Sequence, residues 1–172
     1  MVTAHQGLGG HLSAVIWWGR ETDMGLIRLQ SSNLPSGSVL QVVQSYTANT
    51  GLVETTSTSF VASGFSVAIT PTSINNFISI QLFNPMADHQ AAAAVWSKMY
   101  VNGSPMPGAS DYHIGYQSTE SRYASWAFAA KYTPTSLNTL TFEPYFKSSD
   151  GNNARFSHDK SAVSLIAMEI AG

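Results

Sequence analysis

Cysteine is absent from this chain of 172 residues, which removes disulfide cross-links and thiolate metal sites and leaves packing, with any burial between subunits, to hold the fold together. Charge is nearly as scarce. Only 10% of residues are Asp, Glu, Lys or Arg, and the formal charge is −2. Without a basic excess there is no source for the counterion release that drives nonspecific nucleic-acid binding, so nucleic acid is not an expected partner. No stretch approaches the ~20 consecutive apolar residues of a membrane-spanning helix, and no membrane insertion is expected. Met1–Trp18 also lacks the basic start and continuous apolar core of a signal peptide.

Catalytic signatures are missing as well. No serine stands in a GxSxG elbow, and the glycines at Gly7, Gly9 and Gly10 precede no helix signal that would make a phosphate loop. The histidines His5, His11, His89, His113 and His158 are dispersed and show neither HExxH nor HxH spacing. Glu21, Glu54, Glu120, Glu143 and Glu169 form no pair that would mark a glycosidase. The expectation is a protein that is not an enzyme and holds no cofactor or metal.

What is present is strand. Hydrophobic residues make up 44% of the chain, so with few charges the surface falls to Ser, Thr, Asn, Gln and Gly, a habit that suits β-proteins facing large assemblies or sugars. The longest run of strand signals lies between Gly37 and Phe83. Val39 to Tyr46 alternates in period two with β-branched and aromatic content, and predicts a strand. Thr55–Val61 reads as an outer or edge strand whose threonines pair across a ladder. Gly64 breaks it, Phe65–Thr70 follows, and Pro71 ends that run because it cannot donate to a ladder. Phe77–Phe83 gives a fourth strand, closed by Asn84-Pro85. Four strands in so short a stretch predict a β-meander or Greek key and exclude a βαβ crossover.

Beyond Pro85, Val95–Val101 alternates in strand fashion despite the run Ala91–Ala94, whose small side chains suit a tight sheet face or a subunit interface. Asn102-Gly103 is a tight-turn signal, and Gly103–Ser121 reads as a long loop. Arg122–Tyr132 is another strand, Asn138–Lys147 a further one kinked at Pro144, and Asp150–Asn153 a hairpin turn into Ala154–Phe156. Ser161–Ile170 is the last strand. Rich in apolar residues, it has to lie inside a sheet, because an exposed edge of that kind would template aggregation.

From about Leu34 onward the chain resembles a domain found in bacteriophage virion proteins, especially tail-fibre and related structural proteins of tailed phages. The resemblance is carried by Leu34-Pro35-Ser36-Gly37-Ser38-Val39-Leu40-Gln41-Val42-Val43, by Thr55–Val61, by Ser66-Val67-Ala68-Ile69-Thr70-Pro71 and by Met168-Glu169-Ile170. It implies a trimeric jelly roll, of the tumour-necrosis-factor-like kind, on the outside of a virion. With the strand count, the expectation is an all-β, jelly-roll-like antiparallel sandwich of roughly eight to ten strands over 34–172. Residues 1–33 are read as an arm or short strands serving attachment.

Three sets of residues stand out. Tyr112, His113, Tyr116 and Gln117 mix aromatic and amide groups in the long loop and are the receptor-contact candidates. Trp17 and Trp18 are attachment candidates, the alternative being that they pack in the core. Glu169 shares a strand face with Val163, Leu165 and Ala167, so if buried it requires a cation such as Arg155, Lys160 or one from a neighbouring subunit. The function expected is a non-enzymatic exterior knob of tail-fibre type, a homotrimer touching other virion proteins and a host cell-surface glycan or protein. A capsid decoration protein and a soluble carbohydrate-binding lectin are the alternatives.

Overall fold

The computed structural model describes residues 34–48, 51–89, 94–109, 112–114, 122–157 and 161–172, without the side chains of 86–89, 112–114 and 122–124. Every regular element in it is a strand: β1 (Val39–Thr47), β2 (Val53–Thr55), β3 (Val61–Ala62), β4 (Val67–Ile69), β5 (Phe77–His89), β6 (Val95–Val101), β7 (Ser104–Pro105), β8 (Tyr112–Ile114), β9 (Arg122–Tyr132), β10 (Leu140–Ser148), β11 (Ala154–Ser157) and β12 (Val163–Ile170).

The strands form two antiparallel sheets. In sheet A the long β5 carries β9 along one edge, while β12 and then β11 succeed one another along the other. Outside these, β1 pairs with β12 and β2 with β11. In sheet B, β10 and β6 lie side by side, with β4 and β3 along the outer edge of β10 and β7 and β8 along that of β6. Each sheet therefore has four positions, in the order β1/β2, β12/β11, β5, β9 for sheet A and β3/β4, β10, β6, β7/β8 for sheet B. The chain crosses to the other sheet between successive positions except at the Asn102-Gly103 turn, where β6 and β7 stay together in sheet B, and this is the two-Greek-key path of a jelly roll.

A meander is excluded, since none of β1 to β5 pairs with another of the five. The apolar C-terminal strand lies between β1 and β5, where the aggregation argument put it. Four local readings need correction. Thr55–Val61 is not one strand: the Thr55 hydroxyl accepts from the Ser57 N–H (3.1 Å) and the Ser57 hydroxyl from the Ser59 N–H (3.0 Å), local bonds that compete with a ladder. Nor does Pro85 close the fourth strand. The register of β5 on β9 slips between Asn84 and Ala87, a bulge that takes in the proline, whose carbonyl accepts from the Ser125 hydroxyl (3.1 Å).

Third, Asp150–Asn153 makes no hairpin. The chain there leaves sheet B and enters sheet A, because β11 pairs with β2 and β5 and not with β10. Finally, the loop expected over Gly103–Ser121 contains β7 and β8, so Tyr112 and His113 are strand residues at the edge of sheet B. The Asn102-Gly103 turn is formed as expected, with both residues at positive φ, 49° and 76°, the geometry a two-residue hairpin requires.

Period-two alternation builds the core. β10 buries Leu140, Phe142, Pro144, Phe146 and Ser148 and turns the residues between them outward; β6 does the same with Val95, Ser97, Met99 and Val101. Ile78, Ile80 and Leu82 of β5 meet them from sheet A, with Leu165 and Ala167 of β12, Trp126 of β9 and Phe156 of β11. Phe156 bridges the layers, with ring centroids 5.7 Å from Phe146 and 5.8 Å from Trp126. Each fully buried phenylalanine stabilises the fold by roughly 1.5–3 kcal/mol relative to exposure.

Candidate functional site

Glu169 follows Val163, Leu165 and Ala167 on the inward face of β12 and is fully buried, at 0% exposure. Its partners are neutral. Asn76 Nδ2 donates to its Oε1 at 2.6 Å, as do the Thr72 N–H (2.7 Å) and hydroxyl (2.9 Å), while Gln41 Nε2 donates to Oε2 at 2.6 Å. Burial pushes this carboxyl up, but the bonds from Asn76, Gln41 and Thr72 outweigh it and hold the group below the usual glutamate range. The expected pairing with Arg155 does not form. Arg155 lies opposite Asp88 and Glu169 opposite Ile78, ten residues apart along β5, and the Arg155 Nε donates to Glu54 at 3.1 Å on the surface. Lys160 lies outside the described residues.

This carboxylate is a fastener. Gln41 also donates to the Thr70 carbonyl (2.7 Å), and Asn76 Oδ1 accepts from the Gly172 N–H (3.3 Å). One group thus ties the start of β1, the β4–β5 turn and the chain end together.

The outward face of sheet A has a different character. Register places Tyr46, Ser164, Phe83 and Ala127 in one rung across the four strands, and Gln44, Ile166, Gln81 and Ala129 in the next. The third rung is Val42, Met168, Ser79 and Lys131, and the Lys131 ammonium lies over the Phe77 ring at 4.2 Å. That lysine is the one charge among the twelve. Val42, Tyr46 and Phe83 stand 58%, 61% and 55% exposed. The two alanines beside Phe83 leave a shallow depression of about 410 Å³, walled by Gln81, Phe83, Ser164 and Ile166.

Of the receptor-contact candidates, β8 places Tyr112 opposite Ser97 and His113 opposite Trp96 of β6. Tyr116 and Gln117 lie outside the described residues, as do Trp17, Trp18 and the run Ala91–Ala93. Among the described residues no three His, Asp or Glu groups gather as metal ligands would. The sheet A face escapes a reading of the sequence because its members come from four strands far apart in the chain. Alternation marks Val42, Phe83, Ala127 and Ile166 as outward only once register fixes which parity is inward.

Comparison with known proteins yields no matching family model and no matching curated protein. Among solved structures, the chain is similar to dimeric latent PorU from Porphyromonas gingivalis at a TM-score of 0.31 and 9% identity, over 80% of this chain and 14% of that one. The chain thus spans a small fraction of that protein.

Proposed function

We propose that this chain is a non-enzymatic structural module of a bacteriophage virion, an exterior knob of tail-fibre type that assembles as a homotrimer through the outward face of sheet A. The observation that carries the self-association is that face: three rungs across four strands with a single charge, bearing Phe83 and Tyr46 as projections beside a hollow floored by alanines. A surface with projection and hollow side by side is complementary to a copy of itself, and closed symmetric oligomers bury surfaces of this kind. The number three, and the virion, rest on the resemblance in the strand motifs. A head decoration protein would bury the same face, and copies per particle separate the two, since hundreds mean decoration and a few dozen or fewer mean fibre.

Light scattering on the purified chain tests the assembly. A species of three chains is expected at micromolar concentration, and Phe83→Glu, which places a charge on the exposed face without touching the core, is expected to yield a folded monomer. A wild-type chain that is only a folded monomer would reject the proposal.

A further inference from the structure

The outward face of sheet B, on the other side of the sandwich, gathers rings and ammonium groups. Trp96, Lys98 and Tyr100 of β6 alternate with its buried residues, and Tyr145 and Lys147 of β10 stand beside them in register, Tyr145 opposite Lys98 and Lys147 opposite Trp96. Phe60, from the segment before β3, lies across both lysines. The Lys147 ammonium is 4.6 Å from its ring centroid and 6.0 Å from that of Trp96, and the Lys98 ammonium is 5.5 Å from Phe60. Tyr100 and Tyr145 stack at 3.8 Å. All six side chains are half-buried.

Two features set this cluster apart from an ordinary solvated face. In a chain with so little charge, two lysines converge on one ring. The acid of the same face, Glu143, is turned to the backbone, accepting the Gly64 N–H at 2.8 Å. A ring face meets the charge of an ammonium but leaves its three N–H donors to seek oxygen. Among the described residues the contacts of Lys147 are ring faces, so its donors suit an oxygen anion arriving from solvent. The rings offer such a ligand an apolar bed, and Thr56, Thr58 and Ser59 of the adjoining segment are exposed and hydroxyl-bearing.

We propose that this face binds an acidic saccharide of the uronate class. A hexuronate presents an apolar C–H face on one side of its ring and a carboxylate at a short fixed distance from it. The first lies on Trp96 and its neighbouring rings, the second meets Lys147 with Lys98 beside it, and the sugar hydroxyls meet the Thr/Ser segment. An acidic peptide fits less well, since it requires partners for its backbone and this face is the middle of a sheet whose own backbone groups are paired in the ladder. The site lies on the sheet opposite the proposed trimer face, so it stands whether or not the chain is trimeric.

Calorimetric titration of the full chain with oligogalacturonate, against the same oligosaccharide fully methyl-esterified, tests this. The ester keeps the ring and loses the charge. Binding of the acid is expected, with the ester weaker by at least about tenfold, the loss of one charge-assisted bond. Lys147→Ala and Trp96→Ala are each expected to weaken the acid at least as much with circular dichroism unchanged, and Lys147→Arg to retain it. If Lys147→Ala does not fold, Lys147→Gln, which keeps most of the stem, takes its place. No binding of the acid, equal binding of acid and ester, or binding indifferent to Lys147 and Trp96 would overturn the proposal. So would phosphatidylglycerol vesicles binding as tightly as the saccharide with the same dependence on Lys147.

Discussion

Replacing Glu169 by Gln is expected to destabilise the fold by about 2–3 kcal/mol, because one carboxylate oxygen becomes an NH2 that must face either Gln41 or the Asn76 and Thr72 donors, setting donor against donor and leaving a buried donor unmet. Chemical denaturation of the two proteins at pH 7 measures it. The pH dependence follows from the same bonds. A carboxyl held below its usual range contributes stability that is present above the unfolded value, 4.5, and is lost as pH falls through the lower folded one. The melting temperature of the wild type should therefore drop more steeply below pH 4.5 than that of Glu169→Gln, and parallel profiles would mean that the carboxylate is not ionised in its pocket. Arg155 and Glu54 make the contrasting case. Their pair lies at the sheet edge with Glu54 exposed and is worth about 0–1 kcal/mol, so Glu54→Ala should be nearly silent.

Strand β10 shows how an element absorbs an unsuitable residue. Pro144 lies inside it, paired with Met99 of β6, although a proline in a central strand removes a ladder bond. Its carbonyl accepts from the Ser63 N–H at 3.2 Å, so the missing donor faces the same edge, in the gap between β4, which pairs Leu140–Phe142, and β3, which pairs Tyr145 and Phe146. The interruption of the neighbouring strand sits where the proline has nothing to give. On the inward face of the same strand, Phe142→Ala should cost about 3–5 kcal/mol, since Phe142 is fully buried and packs edge-on against Tyr132 at 5.5 Å. At the end of β6, Gly103→Ala forces a side chain to φ 76° and should cost about 1–2 kcal/mol, with nothing in the space around it to clash. Thermal unfolding of both variants orders them, and a Gly103→Ala loss as large as that of Phe142→Ala would contradict the packing argument.

At the scale of the molecule the two sheets present different surfaces. Their inward faces make one apolar core closed at one end by the Glu169 cluster, while their outward faces differ: that of sheet A carries a single charge, Lys131, among exposed apolar and small or amide side chains, and that of sheet B carries rings and lysines. The proposed assembly on one face and the proposed ligand binding on the other can therefore be separated by mutation. Phe83→Glu should abolish oligomers and leave uronate binding intact, and Lys147→Ala should do the reverse. A shared loss in either variant, read by light scattering and calorimetry on the same samples, would show that the two faces are not independent.

The sequence by itself determined the strands whose alternation is long and unbroken. β1, β6, β9 and β12 are legible because side chains on opposite sides of a pleat meet opposite environments, and a period of two records that directly. The Asn102-Gly103 turn is legible because positive φ selects those residues, and the interior position of β12 because an apolar strand cannot be left at an edge. Tertiary structure decided the rest. Which strands pair is set by contacts between residues far apart in the chain, so the jelly-roll path could be expected but the exclusion of a meander could not be derived. Short strands such as β3, β7 and β8 exist only because a longer neighbour offers them a ladder, and Pro85 is carried through β5 by a bulge. The neutral shell of Glu169 depended on the β4–β5 turn folding back over the end of the sandwich, which brings Thr72 and Asn76 to a carboxylate more than ninety residues away. A charge must be satisfied if buried, and this the sequence states; whether a cation or a set of aligned dipoles does so is decided by which backbone arrives.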